Sequence, residues 1–166
     1  MDKITPCLWF DGQAEDAANF YVSLFPNSRI TAVNRSPADT PSGPEGYVIT
    51  IDFELDGKPF VGLNGGPEFK FSEAISYQID CADQAEVDHY WDGLLAGGGE
   101  PGPCGWLKDK FGLSWQVVPH RLSEMYASSD REGARRAMEQ MLRMGKLDIE
   151  PLERAFAGDE VGSTTR

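Results

Sequence analysis

Few side chains in this 166-residue sequence stand in company that would do chemistry. His89 lies between Asp88 and Asp92 in a helical run, the pattern of a surface helix. His120 follows Pro119 at the end of a strand-like run, a place for a solvated loop residue or for a base at a cavity mouth. The three cysteines, Cys7, Cys81 and Cys104, are odd in number and form no C-x-x-C pair, which argues against a disulfide framework and a structural zinc site. Cys7 shares strand parity with Thr5 and Trp9, but no histidine is placed to activate it, so it reads as a small hydrophobe before a nucleophile. Asp52, Glu54 and Asp56 alternate with apolar residues and either face solvent or line a cavity. Trp9 and Trp106 are the aromatics best suited to stack on a ligand. Trp115, of opposite parity to Gln116, belongs under a helix.

The elements that must position these groups follow from periodicity. Residues 4–10 read as a strand closed by Asp11-Gly12, and 13–25 as a helix stopped by Pro26. Residues 28–35 form a second strand, and the Pro/Gly-rich stretch 36–46 a long loop. Residues 47–55 alternate cleanly, and Asp56-Gly57 turns them into a strand at 58–64. The order then repeats, with a strand at 74–81, a helix at 83–96 and strands at 104–107 and 113–118. Laying residues 9–26 over 80–97 matches Gln13-Ala14-Glu15 with Gln84-Ala85-Glu86, Phe20 with Trp91, and Leu24 with Leu95. The sequence therefore predicts an α+β fold of two tandem β-α-β-β-β modules, at about 1–66 and 72–119, whose sheets curl into a half-barrel within a domain of residues 1–120. A helical tail, 121–166, follows with short helices at 130–144 and 149–157. Its stripe of Met138, Met141, Leu142, Ile149, Leu152, Ala155 and Phe156 must be buried, on its own body or, as the preferred expectation, on a sister subunit.

Charge narrows the partners. The net charge is −12, and residues 1–119 carry 18 acidic against 7 basic side chains. Such a body repels phosphate backbones and anionic lipid, which argues against nucleic-acid and membrane partners and leaves a small molecule open. No apolar run approaches a membrane span, and the start MDKITPCLWF lacks a basic n-region, so the expected compartment is the cytoplasm.

Several segments carry a resemblance: ITPCLWFDGQAEDAANFY (4–21), FVGLNGGPEFKF (60–71), CGWLKDKFGLSWQVVP (104–119) and ARRAMEQMLRMGKLDIEPLERA (134–155). Together with the tandem modules they resemble the vicinal oxygen chelate superfamily of glyoxalases, bleomycin-resistance proteins and extradiol dioxygenases. Within it they look like the PhnB-like branch, whose members often carry the label 3-demethylubiquinone-9 3-methyltransferase. A nucleoside-cofactor site of the Rossmann type needs a glycine loop between strand and helix, and neither Gly65-Gly66 nor Gly97-Gly98-Gly99 has that context. The resemblance also implies a divalent metal held by one side chain from the first and last strand of each module. Here those positions fall on Thr5, Val61, Ser76 and Gln116, one amide, two hydroxyls and an apolar group, which is no metal site.

The sequence thus points to a small-molecule binder, homodimeric and without metal or cofactor, with a cavity lined by Thr5, Cys7, Trp9, Ser76, Gln78, Trp106 and Gln116. A metal-dependent lyase, isomerase or dioxygenase with other ligands, and an interaction module acting through the tail, are the alternatives.

Overall fold

The computed structural model describes residues 3–159, which fall into two compact units that divide between Phe71 and Ser72. The tail residues 160–166 lie outside the described residues. In the first unit the chain runs β1 (Cys7–Phe10), α1 (Ala14–Leu24), β2 (Arg29–Arg35), β3 (Val48–Leu55) and β4 (Lys58–Asn64). The open four-stranded sheet has the order β1-β4-β3-β2. β1 runs parallel to β4, because α1 intervenes before the chain returns, whereas the short turn at Asp56-Gly57 makes β3 and β4 antiparallel. The alternation read from the sequence sorts the two faces. Ile51, Phe53 and Leu55 are buried, as are Ala14, Ala17, Ala18 and Tyr21 of α1. The Tyr21, Phe53 and Phe60 rings stack in succession within this core, the last two with centroids 5.5 Å apart. Asn64 is buried at the end of β4. Its Oδ1 accepts from Ala14 N at 2.8 Å and its Nδ2 donates to Val48 O at 3.0 Å, so a strand residue caps a helix whose own N-cap, Gln13, makes no side-chain cap bond.

The second unit repeats the plan with β5 (Tyr77–Cys81), α2 (Gln84–Leu95), β6 (Glu100–Pro101), β7 (Trp106–Lys108) and β8 (Ser114–Pro119). Its sheet order is β5-β8-β7-β6, with β5 parallel to β8. Asp83 caps α2 by accepting from Glu86 N, and Glu86 in turn accepts from Ala82 N. Three helices follow, α3 (His120–Ala127), α4 (Arg131–Met141) and α5 (Ile149–Ala157). α5 has the bounds expected from the sequence and α4 lies inside its expected segment. α3 went unread, and so did the two-residue β6.

Strand starts also differ from expectation. β1 begins at Cys7 and β5 at Tyr77, so Thr5 and Ser76 stand just ahead of their strands. The tail's apolar stripe is covered within its own unit, which removes the physical reason for assigning it to a sister subunit. Leu122, Met125, Ala137, Leu147 and Leu152 form one buried cluster, with Met141, Met144 and Phe156 packed on it. Only Met138 and Leu142 of the stripe remain exposed as large hydrophobics. Backbone bonds fix this docking: Cys104 N donates to Met144 O at 2.7 Å and Gly105 N to Gly145 O at 2.8 Å. Lys146 Nζ meets Asp88 Oδ1 of α2 at 2.7 Å. Among the described residues no helix is long and apolar enough to cross a membrane.

Candidate ligand-binding site

The internal repeat survives in the strand register. Cys7 faces Val61 across β1 and β4, and Gln78 faces Gln116 across β5 and β8. Cys7 and Gln78 are 71 residues apart, the offset of the sequence repeat, and Val61 and Gln116 each stand four residues after the hairpin glycine of their module, Gly57 and Gly112. The Gln78–Gln116 pair is elaborated further, for Gln116 Nε2 donates to Ser76 Oγ at 2.9 Å. Gln116 also faces Trp106 across β8 and β7. Gln78, Gln116 and Trp106 are thus neighbours on one sheet, with Ser76, just ahead of β5, bonded to Gln116.

A cavity of about 510 Å³ opens in this unit, lined by Glu73, Glu100, Pro101, Gly102, Pro103, Cys104, Trp106, Leu107, Lys108 and Ser114. Of the residues chosen from sequence only Trp106 lines it. Its lining includes Ser114, 1% exposed, whose hydroxyl has no hydrogen-bond partner. At the rim Lys108 and Glu73 form an ion pair. That hydrogen bond, with Coulombic attraction beside it, raises Lys108 above the ordinary lysine value and lowers Glu73 below the ordinary carboxylate value. Ser114 and Lys108 were legible by parity, each two residues from a chosen residue (Gln116 and Trp106). Glu73 lies in a loop and carried no signal.

A second cavity, of about 480 Å³, lies in the first unit against Thr5, Thr31, Asp52, Phe53, Glu54, Gly57, Pro59, Phe60 and Val61. Asp52 and Glu54 therefore line a cavity. Asp52 accepts from Asn34 Nδ2 at 3.3 Å, and Glu54 pairs with Arg29 at 3.1 Å. Asp56 belongs to the β3–β4 turn, where its N donates to Ser28 Oγ. Trp9 is engaged by its own unit: Nε1 donates to Gly66 O at 2.8 Å, and the ring meets Phe69 edge-on at 4.9 Å.

Close packing accounts for a glycine in each cluster. A Cβ on Gly65 would stand 2.3 Å from the Trp9 ring, and one on Gly99 2.8 Å from Lys108 O. Gly65 lets the Trp9 ring lie on the backbone, and Gly99 lets the chain pass close to β7.

The remaining reactive side chains are held quietly. Burial, then the nearby Glu86, Asp80 and Asp83, pushes the Cys81 thiol up to about 12, and partial desolvation also raises Cys7, although the residue is exposed. Neither is an activated thiolate. His120 starts α3 with Nδ1 2.9 Å from Asp80 Oδ2; the hydrogen bond first, then the charge of Asp80, raises it above the ordinary histidine value. The four positions where the superfamily places metal ligands, Thr5, Val61, Ser76 and Gln116, do not fit a divalent ion. Val61 offers no donor atom, and the Ser76 hydroxyl already accepts the Gln116 amide. Among the described residues, no group of three or more His, Cys, Asp or Glu is placed to hold a metal.

Two units of one topology, each with its first strand parallel to its last and a helix between, define the vicinal oxygen chelate fold. Within that class the chain belongs to the 3-demethylubiquinone-9 3-methyltransferase (PhnB-like) family, whose model matches residues 2–118. The PhnB protein from Bacillus cereus is 35% identical, over 71% of this chain and 99% of that one, with a TM-score of 0.62. Protein PA1353 from Pseudomonas aeruginosa shares the fold at 17% identity, over 72% of this chain and 98% of that one, with a TM-score of 0.59. No curated protein matches the chain. The family match ends before α3, so the three tail helices lie outside it.

Proposed function

We propose that this protein binds a small organic molecule without the aid of a divalent metal. The observation that carries the reading is the second unit's cavity, with an indole wall at Trp106, beside the Gln116–Ser76 bond that occupies two of the expected metal-ligand positions. An amide tied to a hydroxyl keeps its oxygen as an acceptor and can orient a polar ligand. In this reading Trp106 walls the second unit's cavity, with Ser76, Gln78 and Gln116 beside it in that unit, and Thr5 lines a separate cavity in the first unit, which also holds Cys7 and Trp9. The metal-dependent lyase, isomerase and dioxygenase chemistries of the superfamily require a donor set that these positions do not supply. Methyl transfer of the Rossmann type gains no support either, since Gly65 accommodates Trp9 and Gly99 a close backbone approach.

A fragment screen by ligand-observed NMR in excess EDTA tests the reading. Hits should bind the EDTA-treated protein and weaken about tenfold or more in Trp106→Leu, the loss of one aromatic wall. Hits that require added metal, or that ignore Trp106, would overturn it. The reading includes a homodimer, expected to appear in light scattering at twice the 18.3 kDa of one chain.

A further inference from the structure

We infer that the cavity of the second unit selects an organic cation, a flat apolar body bearing a protonated amine, with Ser114 as its hidden polar anchor. The inference rests on the reading of that cavity as the binding site and names the chemistry it takes.

Three observations converge. The charged side chains lining the cavity are Glu73, Glu100 and Lys108. Lys108 pairs with Glu73 and also stands opposite Glu100 across β7 and β6, so two carboxylates share one ammonium and the lining keeps an excess of one negative charge, in a chain whose net charge is −12. An anionic ligand would have to free Lys108 from Glu73 and still face Glu100. A cation keeps the existing pair, meets Glu100, and gains the π face of Trp106. Last, a buried hydroxyl without a partner is a standing cost that a ligand atom can remove, and Ser114 is such a group in the cavity lining. Water does not reach this hydroxyl where it stands, so a ligand engages it when the Ser114 side chain turns into the cavity that the residue lines.

Tryptamine, tryptophol and indole-3-propionate share one flat body and differ in charge, and each carries a ring N–H that can donate to the Ser114 hydroxyl. Their binding to the full chain is measured by titration calorimetry in EDTA. Tryptamine should bind about tenfold tighter than the other two. Glu100→Gln should erase that preference and leave tryptophol unchanged. Ser114→Ala should weaken all three about fivefold while leaving the melting temperature equal or higher, a combination that a purely structural serine would not give. Equal or tighter binding of tryptophol or indole-3-propionate overturns the cation inference and leaves the cavity reading in place. Unchanged affinities in Ser114→Ala remove Ser114 as the anchor. Failure of all three probes to bind the wild-type chain overturns both readings.

Discussion

Gln116 of β8 donates its side-chain amide to the hydroxyl of Ser76, just ahead of β5, at 2.9 Å. These are two of the four places where a vicinal oxygen chelate enzyme would present metal ligands, and here they are bonded to each other. A metal would have to break that bond and would gain from Val61 no ligand at all. Protein incubated with Zn²⁺, Ni²⁺, Mn²⁺ or Fe²⁺ and then desalted should retain no stoichiometric metal, and EDTA should leave its melting temperature unchanged. Elemental analysis checks this; one tightly held ion per chain would refute it.

Asp109 anchors the turn ahead of β8. Its Oδ1 accepts from Phe111 N at 2.8 Å and Leu113 N at 3.1 Å, and its Oδ2 from the Trp115 indole at 2.9 Å. The residue is 3% exposed. Asp109→Ala strands these donors in a dry site and should cost about 3–5 kcal/mol in urea unfolding, at roughly 1–3 kcal/mol for each group left unsatisfied. Asp109→Asn keeps an acceptor oxygen and should lose less.

Asn64 joins β4, β3 and the start of α1 through its two bonds to Ala14 and Val48. Asn64→Leu removes a cap and leaves both partners unsatisfied, so about 2–4 kcal/mol should be lost. The loss should appear as a lower urea midpoint with an unchanged slope.

His120 gives a pH dependence of known sign. Its partnership with Asp80 raises the folded-state value above the unfolded one, which is about 6.5. The stabilisation is therefore complete below about pH 6.5 and is lost as pH rises through the raised folded value. The difference in melting temperature between wild type and His120→Gln should shrink between pH 6 and pH 9. Both partners are exposed, so the effect should be small and should fall further in high salt. A difference that grows with pH would contradict the assignment.

Much of the architecture was legible because two periodicities alternate twice. The run 47–55, with apolar residues at every second position, became β3 with Ile51, Phe53 and Leu55 buried, and Ala14, Ala17, Ala18 and Tyr21 marked the buried face of α1. Trp115, assigned by parity to the face opposite Gln116, is buried and donates its indole N–H to Asp109. What escaped was set by tertiary contact. β6 is two residues long and exists through its pairing with β7. α3 starts at His120, directly after β8, with no polar N-cap because Pro119 occupies that position. The tail's stripe announced burial but not against what, and the answer depended on backbone carbonyls at Met144 and Gly145 that no side-chain pattern encodes. In the candidate site, Trp106 was legible as an aromatic suited to stacking, while the Glu73–Lys108 pair joins a loop to a strand that sequence spacing does not bring together.

Metal-free binding at the Trp106 wall is tested most directly by the indole N–H signals of ¹⁵N-labelled protein in EDTA, titrated with tryptamine. Four tryptophans are present, Trp9, Trp91, Trp106 and Trp115, and Trp106→Leu assigns one of the signals. The expected result is a saturable shift of the Trp106 signal that exceeds the shifts of Trp9, Trp91 and Trp115, with the same affinity when metal is added back. A Trp106 signal that stays fixed while another indole moves, or a shift that appears only after a divalent metal is supplied, would contradict it.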